Sequence, residues 1–262
     1  MNSDIIEINK IKNVELRLST ITAISKLSDS IDLSELFDKL TVDDNIKFLE
    51  YGVKYKGTID RKNLKKREKN KKKFFYNQIT IHLYLTHENI TKKINVKLFN
   101  NGSIQMTGLK YIDQEKTTVK FIFEKIKSLN IDNKIYKTED LKILNYSIAM
   151  INTDFDIGFK VNRVKLNRYL IGMGIFTSYE PCVYPGVNIK YYYKKDKPNG
   201  ICNCCNICDG KELNNTCKKI TIAVFNSGKV IITGGNKLNH CNKAFNFISN
   251  ILIENKDMFI DK

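Results

Sequence analysis

One ten-residue segment of the chain occurs twice. Residues 99–108 read FNNGSIQMTG and residues 225–234 read FNSGKVIITG, so the two copies begin 126 residues apart. In each copy an Asn- and Gly-containing turn separates two stretches of alternating apolar and polar residues, which is the pattern of a β-hairpin. A chain of 262 residues that repeats a hairpin in this way is expected to fold as two copies of one structural unit.

The segments around each hairpin also correspond. A long amphipathic helix is predicted after each hairpin, at residues 119–129 and 244–252, because apolar residues recur there with helical spacing. A short helix is predicted further upstream in each half, and in the first half Asp32 and Glu35 are spaced as its cap. Strands are predicted at residues 51–56 and 185–191, and over FFYNQITIHLYLTHE. The predicted fold class is therefore α+β, with a duplicated antiparallel sheet.

Such a sheet, covered by helices on one face, leaves its other face free for function. Strand alternation predicts which side chains lie on that face. They combine aromatic, threonine and small apolar groups, a surface that suits a shallow apolar groove such as the minor groove of DNA. The predicted residues are Asn95, Lys97, Phe99, Gln105 and Thr107 in the first copy, and Thr221, Ala223, Phe225, Ile231 and Thr233 in the second.

The chain is strongly basic, with a formal net charge of +16 at pH 7. Half of this charge lies in residues 61–73, RKNLKKREKNKKK, which hold nine basic residues and one acidic residue. A charge of this size indicates a polyanionic partner such as nucleic acid. For the basic run itself three interpretations stay open: a solvated loop, a nuclear localisation signal, or a contact with the DNA backbone.

Other patterns exclude some classes of protein. There is no apolar run long enough to span a membrane, and the polar start MNSDIIEINKIK does not resemble a signal peptide, so we expect a soluble protein of cells or virions with no membrane partner. No phosphate-binding loop or nucleophile elbow is present, and the three histidines lack metal or catalytic spacing. We therefore expect no enzymatic activity.

Five of the seven cysteines lie within sixteen residues, in ICNCCNICDGKELNNTC. The odd number and the crowding favour reduced thiols and a reducing compartment. Four thiolates from this segment could bind a tetrahedral zinc ion, with free thiols or a disulfide as the alternatives. The ligand set predicted for zinc is Cys202, Cys205, Cys208 and Cys217, with Cys204 as a substitute.

The two hairpins, together with FTSYEPCVYPGVNIKYYYK at residues 176–194, resemble the TATA-box-binding protein family, in its divergent branch from large DNA viruses of the mimivirus type. The resemblance implies a saddle of about ten curved antiparallel strands with helices on its convex face. The first repeat would occupy residues 1–135, with a basic insertion at 57–92. The second would occupy residues 136–262, with a Cys-rich insertion at 192–218, and both insertions would enlarge the loops called stirrups.

The resemblance also implies roles for single residues. Phe99, Phe225 and Tyr184 occupy three of the family's four wedge positions, and the fourth falls on Glu50, for which Phe48 could substitute. The family's asparagine pair appears as Asn152 and, in the first repeat, near Leu16, while Asp154 and Asp156 lie beside Asn152 as unpaired acids. The implied DNA-binding set is Phe48, Lys97, Phe99, Thr107, Asn152, Tyr184, Phe225, Lys229, Ile231 and Thr233.

The function implied is that of a general transcription initiation factor that binds and bends the minor groove of AT-rich promoter DNA. Its partners would be a transcription factor IIB-like protein, contacted through Glu180, and the RNA polymerase machinery. It would act in the host nucleus or a cytoplasmic viral factory, or be packaged in virions. Two alternatives are a protein-interaction scaffold that has lost DNA bending and a non-specific DNA-packaging protein.

Overall fold

The computed structural model describes residues 10–11, 13–58, 74–87, 90–195, 199–204, 208–212 and 216–260, so the whole basic run, residues 61–73, lies outside the described residues. The chain forms two compact units. Ile21–Ala149 form the first-repeat unit, and Met150–Lys262 together with the residues up to Thr20 form the second-repeat unit. Two long strands, β3 (Arg17–Leu27) and β9 (Ile143–Asp156), contribute to both units. The predicted repeat boundary at residues 135 and 136 stays a prediction.

The first-repeat unit contains a sheet with the strand order β3-β8-β7-β6-β4-β5, in which all neighbours are antiparallel. Alternate residues of its strands are buried beneath the helices, for example Ile94, Val96 and Leu98. Its remaining elements are α1 (Leu33–Lys39), β4 (Ile46–Tyr51), β5 (Lys54–Gly57), β6 (Gln78–His87), β7 (Ile90–Phe99), β8 (Ser103–Leu109) and α2 (Gln114–Leu129).

The short helix α1 begins where the sequence predicts. The Asp32 carboxylate accepts hydrogen bonds from the backbone N–H groups of Ser34 and Glu35, both at 3.0 Å, which satisfies donors that the first helical turn leaves unpaired. At the other end the Lys56 ammonium donates to the carbonyl oxygens of Phe37 and Leu40. Because Lys56 belongs to β5, the C-terminal end of α1 is fixed to the edge of the sheet.

The second-repeat unit has the strand order β10-β11-β12-β13-β9, again antiparallel. Its core packs Phe155 of β9 edge-on against Phe245, with ring centroids 4.9 Å apart. A small hairpin of β1 (Lys10–Ile11) and β2 (Val14–Glu15) belongs to the same unit. The other elements are α3 (Arg163–Gly172), β10 (Phe176–Ser178), β11 (Val187–Tyr193), β12 (Lys218–Val224), β13 (Lys229–Gly235), α4 (Leu238–Glu254) and α5 (Lys256–Phe259).

The strand predicted over residues 51–56 is wrong. The chain turns there, between β4 and β5, and Gly52 adopts φ +56°, which a residue with a side chain rarely does. This extra hairpin lies at the edge of the first sheet. Among the described residues, no helix is both long and apolar enough to cross a membrane.

Strand pairing also corrects the placement of the two insertions. Strand β6 pairs with β7 as β11 pairs with β12, so β6 is the counterpart of β11 and part of the repeat. The basic segment therefore lies between β5 and β6, whereas the Cys-rich segment lies between β11 and β12. The prediction that both insertions occupy one topological position is wrong, because the repeats carry them in different connections.

Candidate nucleic-acid interface

In the second-repeat unit one face of the sheet is left uncovered by helices. We call it the second-repeat face. Its β12 and β13 side chains alternate with buried ones such as Ile222 and Ile232. Strand register brings Ile231 opposite Ala223 on one side and Asp154 on the other, and Ile231 is 40% exposed. The predicted residues Thr221, Ala223, Phe225, Lys229, Ile231 and Thr233 all lie on this face.

Two aromatic rings meet at one end of the second-repeat face. The ring centroids of Tyr184 and Phe225 are 5.8 Å apart, and the rings are tilted by 59°. Both lie above Gly186, where an added Cβ would come within 3.0 Å of the Tyr184 ring and 3.2 Å of the Phe225 ring. Glycine at this position therefore lets the two rings approach the backbone and each other. Tyr184 remains 40% exposed, so the pair presents an apolar edge to solvent.

The turn before Gly186 positions Tyr184. The carbonyl oxygen of Glu180 accepts hydrogen bonds from the N–H groups of Val183 and Tyr184, both at 2.9 Å. From helix α3 the Arg163 guanidinium donates to the Pro185 carbonyl at 2.5 Å and lies over the ring of Tyr179. The side chain of Glu180, the predicted partner contact, is exposed on this turn.

A hydroxyl–amide pair lies near the middle of the second-repeat face. The Thr233 hydroxyl donates to Asn152 Oδ1 at 2.6 Å. This bond leaves the Asn152 amide N–H₂ group as a donor, and A·T base pairs present only acceptors in the minor groove. Both residues are half-buried, as expected for side chains that stand on a sheet surface.

Asp154 on this face is paired, contrary to the expectation. Its carboxylate accepts a hydrogen bond from the Ser19 hydroxyl and forms an ion pair with Arg17, with Nη2 and Oδ2 2.5 Å apart. Asp156 is the direct cross-strand neighbour of Lys229, and its carboxylate accepts from the N–H of Gly158. The expectation that Asp154 is an unpaired acid is therefore wrong, since Arg17 forms an ion pair with its carboxylate.

The first-repeat unit has an equivalent uncovered face, which we call the first-repeat face. Lys97 lies opposite Gln105 and Thr80, and Phe99 ends β7 opposite Gln78. The Thr107 hydroxyl donates to the Asn95 carbonyl at 3.4 Å. The predicted residues Asn95, Lys97, Phe99, Gln105 and Thr107 share this face because their neighbours in sequence are buried on the other.

The residue beside Thr107 is not the one expected. Leu16 is 1% exposed and lies outside the first-repeat unit, whereas Thr22 is the strand partner of Thr107. The register shifts by one residue here, because Ile21 pairs with Leu109 and Thr22 pairs with Thr107, which leaves Gly108 of β8 without a partner on β3. Thr22 therefore takes the place in the first repeat that Asn152 takes in the second.

Phe48 lies on the first-repeat face but is only 5% exposed. It packs against the ring of His82 at 4.8 Å and stacks on Tyr55 at 6.3 Å. Burial, with a smaller effect from the Lys93 charge, lowers the pKa of His82 to about 4, so the imidazole is neutral at pH 7. Phe48 thus belongs to an apolar cluster and is less accessible than a wedge requires.

The fourth aromatic position is Tyr76 and not Glu50. In the second repeat Val187 pairs with Val224, and Tyr184 lies three residues before Val187. In the first repeat the equivalent pair is Ile79 with Leu98, and Tyr76 lies three residues before Ile79, so Tyr76 corresponds to Tyr184. Tyr76 is 60% exposed, and its ring lies edge-on to Tyr51 at 5.9 Å. Sequence reasoning missed it, although the Tyr in FFYNQ stands before an alternating strand as it does in CVYPG.

Beyond the face, the Cys-rich segment brings four thiols together. Cys202, Cys204, Cys208 and Cys217 have sulfur atoms that all lie within 4.8 Å of one another. The predicted substitute Cys204 is therefore in the cluster, while Cys205 lies outside the described residues. Cys182 is exposed and Cys241 is buried, and neither belongs to the cluster.

Comparison with known proteins gives consistent results. Residues 145–255 match the family model described as transcription factor TFIID, or TATA-binding protein. A TATA-box-binding protein-like protein of Acanthamoeba polyphaga mimivirus is 36% identical over 248 residues, which cover 90% of this chain. The chain is TATA-box-binding-protein-like. It also resembles TATA-box-binding protein 2 of Haloferax volcanii, with 29% identity over 56% of the chain.

The fold prediction is confirmed by a solved structure. The TBP of Methanococcus jannaschii superimposes with a TM-score of 0.53 at 21% identity, and the match covers 91% of this chain and 98% of that one. This TATA-box-binding-protein-like chain spans 65% of the length of the mimivirus relative and 61% of that of the Haloferax protein.

Proposed function

We propose that the protein is a transcription initiation factor that binds the minor groove of AT-rich promoter DNA and bends it. The observation that carries this proposal is the Tyr184–Phe225 ring pair on an uncovered sheet face, next to exposed Ile231. Exposed apolar groups grouped in this way indicate a binding surface. The family that the chain resembles consists of DNA-binding factors, and we assign the protein no catalytic activity.

The chemistry of the face suits the minor groove. An A·T pair offers only acceptors there, and the Asn152 amide beside Thr233 can donate to them. A G·C pair adds the guanine amino group, which would meet the apolar side chain of Ile231 or the methyl group of Thr233. Preference for AT-rich DNA would arise from the exclusion of G·C pairs by these apolar groups and from the low energetic cost of deforming TA steps.

Bending requires a group that separates neighbouring base pairs. Phe225 and Tyr184 are apolar, adjacent and at the end of the second-repeat face, where an inserted ring would unstack one base step. In the first-repeat unit Phe99 ends its strand in the same way, with Tyr76 in the position equivalent to Tyr184. We therefore assign one aromatic pair to each unit.

Positive charge on both faces supports an anionic ligand. Lys97 lies on the first-repeat face, and Lys190, Lys219 and Lys229 lie on the second. Burial, together with the nearby charge of Lys219, lowers the pKa of Lys190. A phosphate beside these lysines would relieve their mutual repulsion and release counterions from the DNA.

The partner proteins follow from the same resemblance. A transcription factor IIB-like protein would contact the turn that carries exposed Glu180, and it would bring in the RNA polymerase machinery. Since Glu180 also organises the turn that holds Tyr184, this contact would adjoin one end of the DNA site. The site of action would be a nucleus or a cytoplasmic viral factory.

The proposal is tested by fluorescence energy transfer between the ends of a short duplex with a central AT-rich site. Wild-type protein should increase the transfer, whereas Phe225→Ala should bind with a smaller increase. Ile171→Ala is the control, because Ile171 is 56% exposed on helix α3, away from the sheet face. Binding without bending by the wild type would favour a packaging role, and no binding to any duplex would favour the scaffold.

The first-repeat assignment has its own test in the same assay. Tyr76→Ala should reduce the transfer, and Glu50→Ala should leave it unchanged, because strand pairing supports Tyr76 and not Glu50 as the equivalent of Tyr184. A loss of transfer in Glu50→Ala but not in Tyr76→Ala would contradict the equivalence of β6 and β11.

A further inference from the structure

The four clustered thiols have the spacing of a metal site. Cys204 Sγ and Cys217 Sγ are 3.5 Å apart, and Cys217 Sγ and Cys202 Sγ are 3.9 Å apart. Zinc binds thiolate sulfur at about 2.3 Å, so two sulfurs of a tetrahedral zinc site are separated by about 3.8 Å. The remaining pairs, including those of Cys208, lie within 4.8 Å. Small rotations of the side chains would complete a regular tetrahedron.

The backbone around the cluster is fixed at several points. Cys217 is 1% exposed and immediately precedes β12. Cys202 follows a bridge between Gly200 and Tyr192 of β11. Cys208 precedes a turn in which the Lys219 N–H donates to the Gly210 carbonyl at 2.9 Å. Three separate segments thus bring their sulfurs to one point, as a chelating site requires.

The segment has little else to hold it. Between Gly200 and Cys217 it is mostly polar apart from the cysteines, two isoleucines and one leucine, so it contributes little apolar area to a core. A polar loop of this kind gains order from a bound metal. Besides the backbone contacts given above, the Glu212 carboxylate links the segment to the start of α4, where it contacts Lys237 at 3.2 Å and His240 at 3.3 Å.

We propose that Cys202, Cys204, Cys208 and Cys217 bind one structural zinc ion. Four sulfur ligands in a closed tetrahedron leave no open position, so the site is structural and not catalytic. The ion holds the Cys-rich segment against the ends of β11 and β12. This inference does not rest on DNA binding, and metal content tests it separately.

The test begins with the metal content of the full chain, purified with zinc in the medium and without chelating tags. We expect about one zinc per chain, since the four sulfurs form one tetrahedral site. Cys204→Ser and Cys217→Ser should lose most of the zinc. Cys182→Ser is the matched control, because Cys182 is exposed and outside the cluster, and Cys205→Ser should also keep the metal. Zinc loss in Cys205→Ser with retention in Cys204→Ser would overturn the assigned ligand set.

Two further measurements keep the proposal open to refutation if a variant folds poorly. Cobalt substituted into wild-type protein should show the intense visible absorption of tetrahedral cobalt with sulfur–metal charge transfer. Mass spectrometry of the metal-free protein should find four alkylatable thiols at the cluster, and zinc should protect them. Iron in place of zinc, a disulfide between Cys204 and Cys217, or thiols that zinc leaves unprotected would each contradict the proposal.

Discussion

The ion pair between Arg17 and Asp154 offers a quantitative test of the second-repeat face. Asp154 lies opposite Ile231, so its charge stands within the proposed DNA contact surface. In the wild type the charges of the two side chains cancel, and the Asp154 carboxylate holds the Arg17 guanidinium. The substitution Asp154→Asn removes the negative charge but keeps the shape of the side chain. Arg17, whose side chain is 67% exposed, then becomes available to a phosphate.

The expected magnitude follows from counterion release. One additional phosphate contact steepens the slope of log K against log salt by about 0.9. The affinity gain of Asp154→Asn over wild type should therefore be about 3.5-fold larger at about 50 mM salt than at about 200 mM salt. The cost in folding stability is small, because an exposed ion pair contributes about 0–1 kcal/mol.

The assay is fluorescence anisotropy with a labelled AT-rich duplex over a series of salt concentrations. Asp132→Asn is the matched control: Asp132 pairs with Lys39 between the ends of α1 and α2, and this contact holds the pKa of Asp132 down at about 2. Both variants change the net charge by the same amount at pH 7, so only position distinguishes them. Equal slopes for the two variants, or weaker binding by Asp154→Asn, would refute the placement of DNA on the second-repeat face.

Two other predictions concern Gly186 and His82. Gly186→Ala places a Cβ within 3.0 and 3.2 Å of the two rings above it, so DNA bending should decrease in the energy-transfer assay. Its stability in urea should stay within about 1 kcal/mol of wild type, because crowding and the lower entropy of the unfolded chain offset each other. His82 has a pKa of about 4 when folded and 6.5 when unfolded, so stability should fall as the pH drops from 6.5 towards 4, by up to about 3 kcal/mol. His82→Gln should show a smaller loss between the same two pH values, and an identical loss would contradict the burial of the neutral imidazole.

The elements that sequence predicts correctly depend on local patterns. The hairpins of β7 with β8 and of β12 with β13 are predicted by the alternation of apolar and polar residues on both sides of a Gly-containing turn. Helix α1 was signalled by its cap, since Asp32 accepts hydrogen bonds from the first turn. These signals lie within about ten residues of one another, and tertiary packing reinforces them.

The elements that sequence predicts wrongly depend on pairing between distant strands. GVKYK resembles GVNIKY locally, yet Gly52 lies in the turn between β4 and the edge strand β5, whereas Gly186 directly precedes strand β11. Thr22, and not Leu16, lies beside Thr107, and the pairing of β3 with β8 that decides this includes a bulge at Gly108. Nothing in the spacing of the five clustered cysteines selects Cys204, since the choice depends on which sulfurs the backbone turns inward.

The two units are alike on their uncovered faces and different in their insertions. Each face has an aromatic residue beside the hairpin turn, Phe99 or Phe225, and a threonine next to a polar partner on β3 or β9. The insertions, in contrast, lie in non-equivalent connections, one basic and one rich in cysteine. A ligand with approximate twofold symmetry, such as a DNA duplex, requires the same chemistry from both units and constrains both faces together. The insertions have no such requirement, so each can serve a function specific to its own unit. For the Cys-rich segment, the function that we propose is the binding of a structural zinc ion.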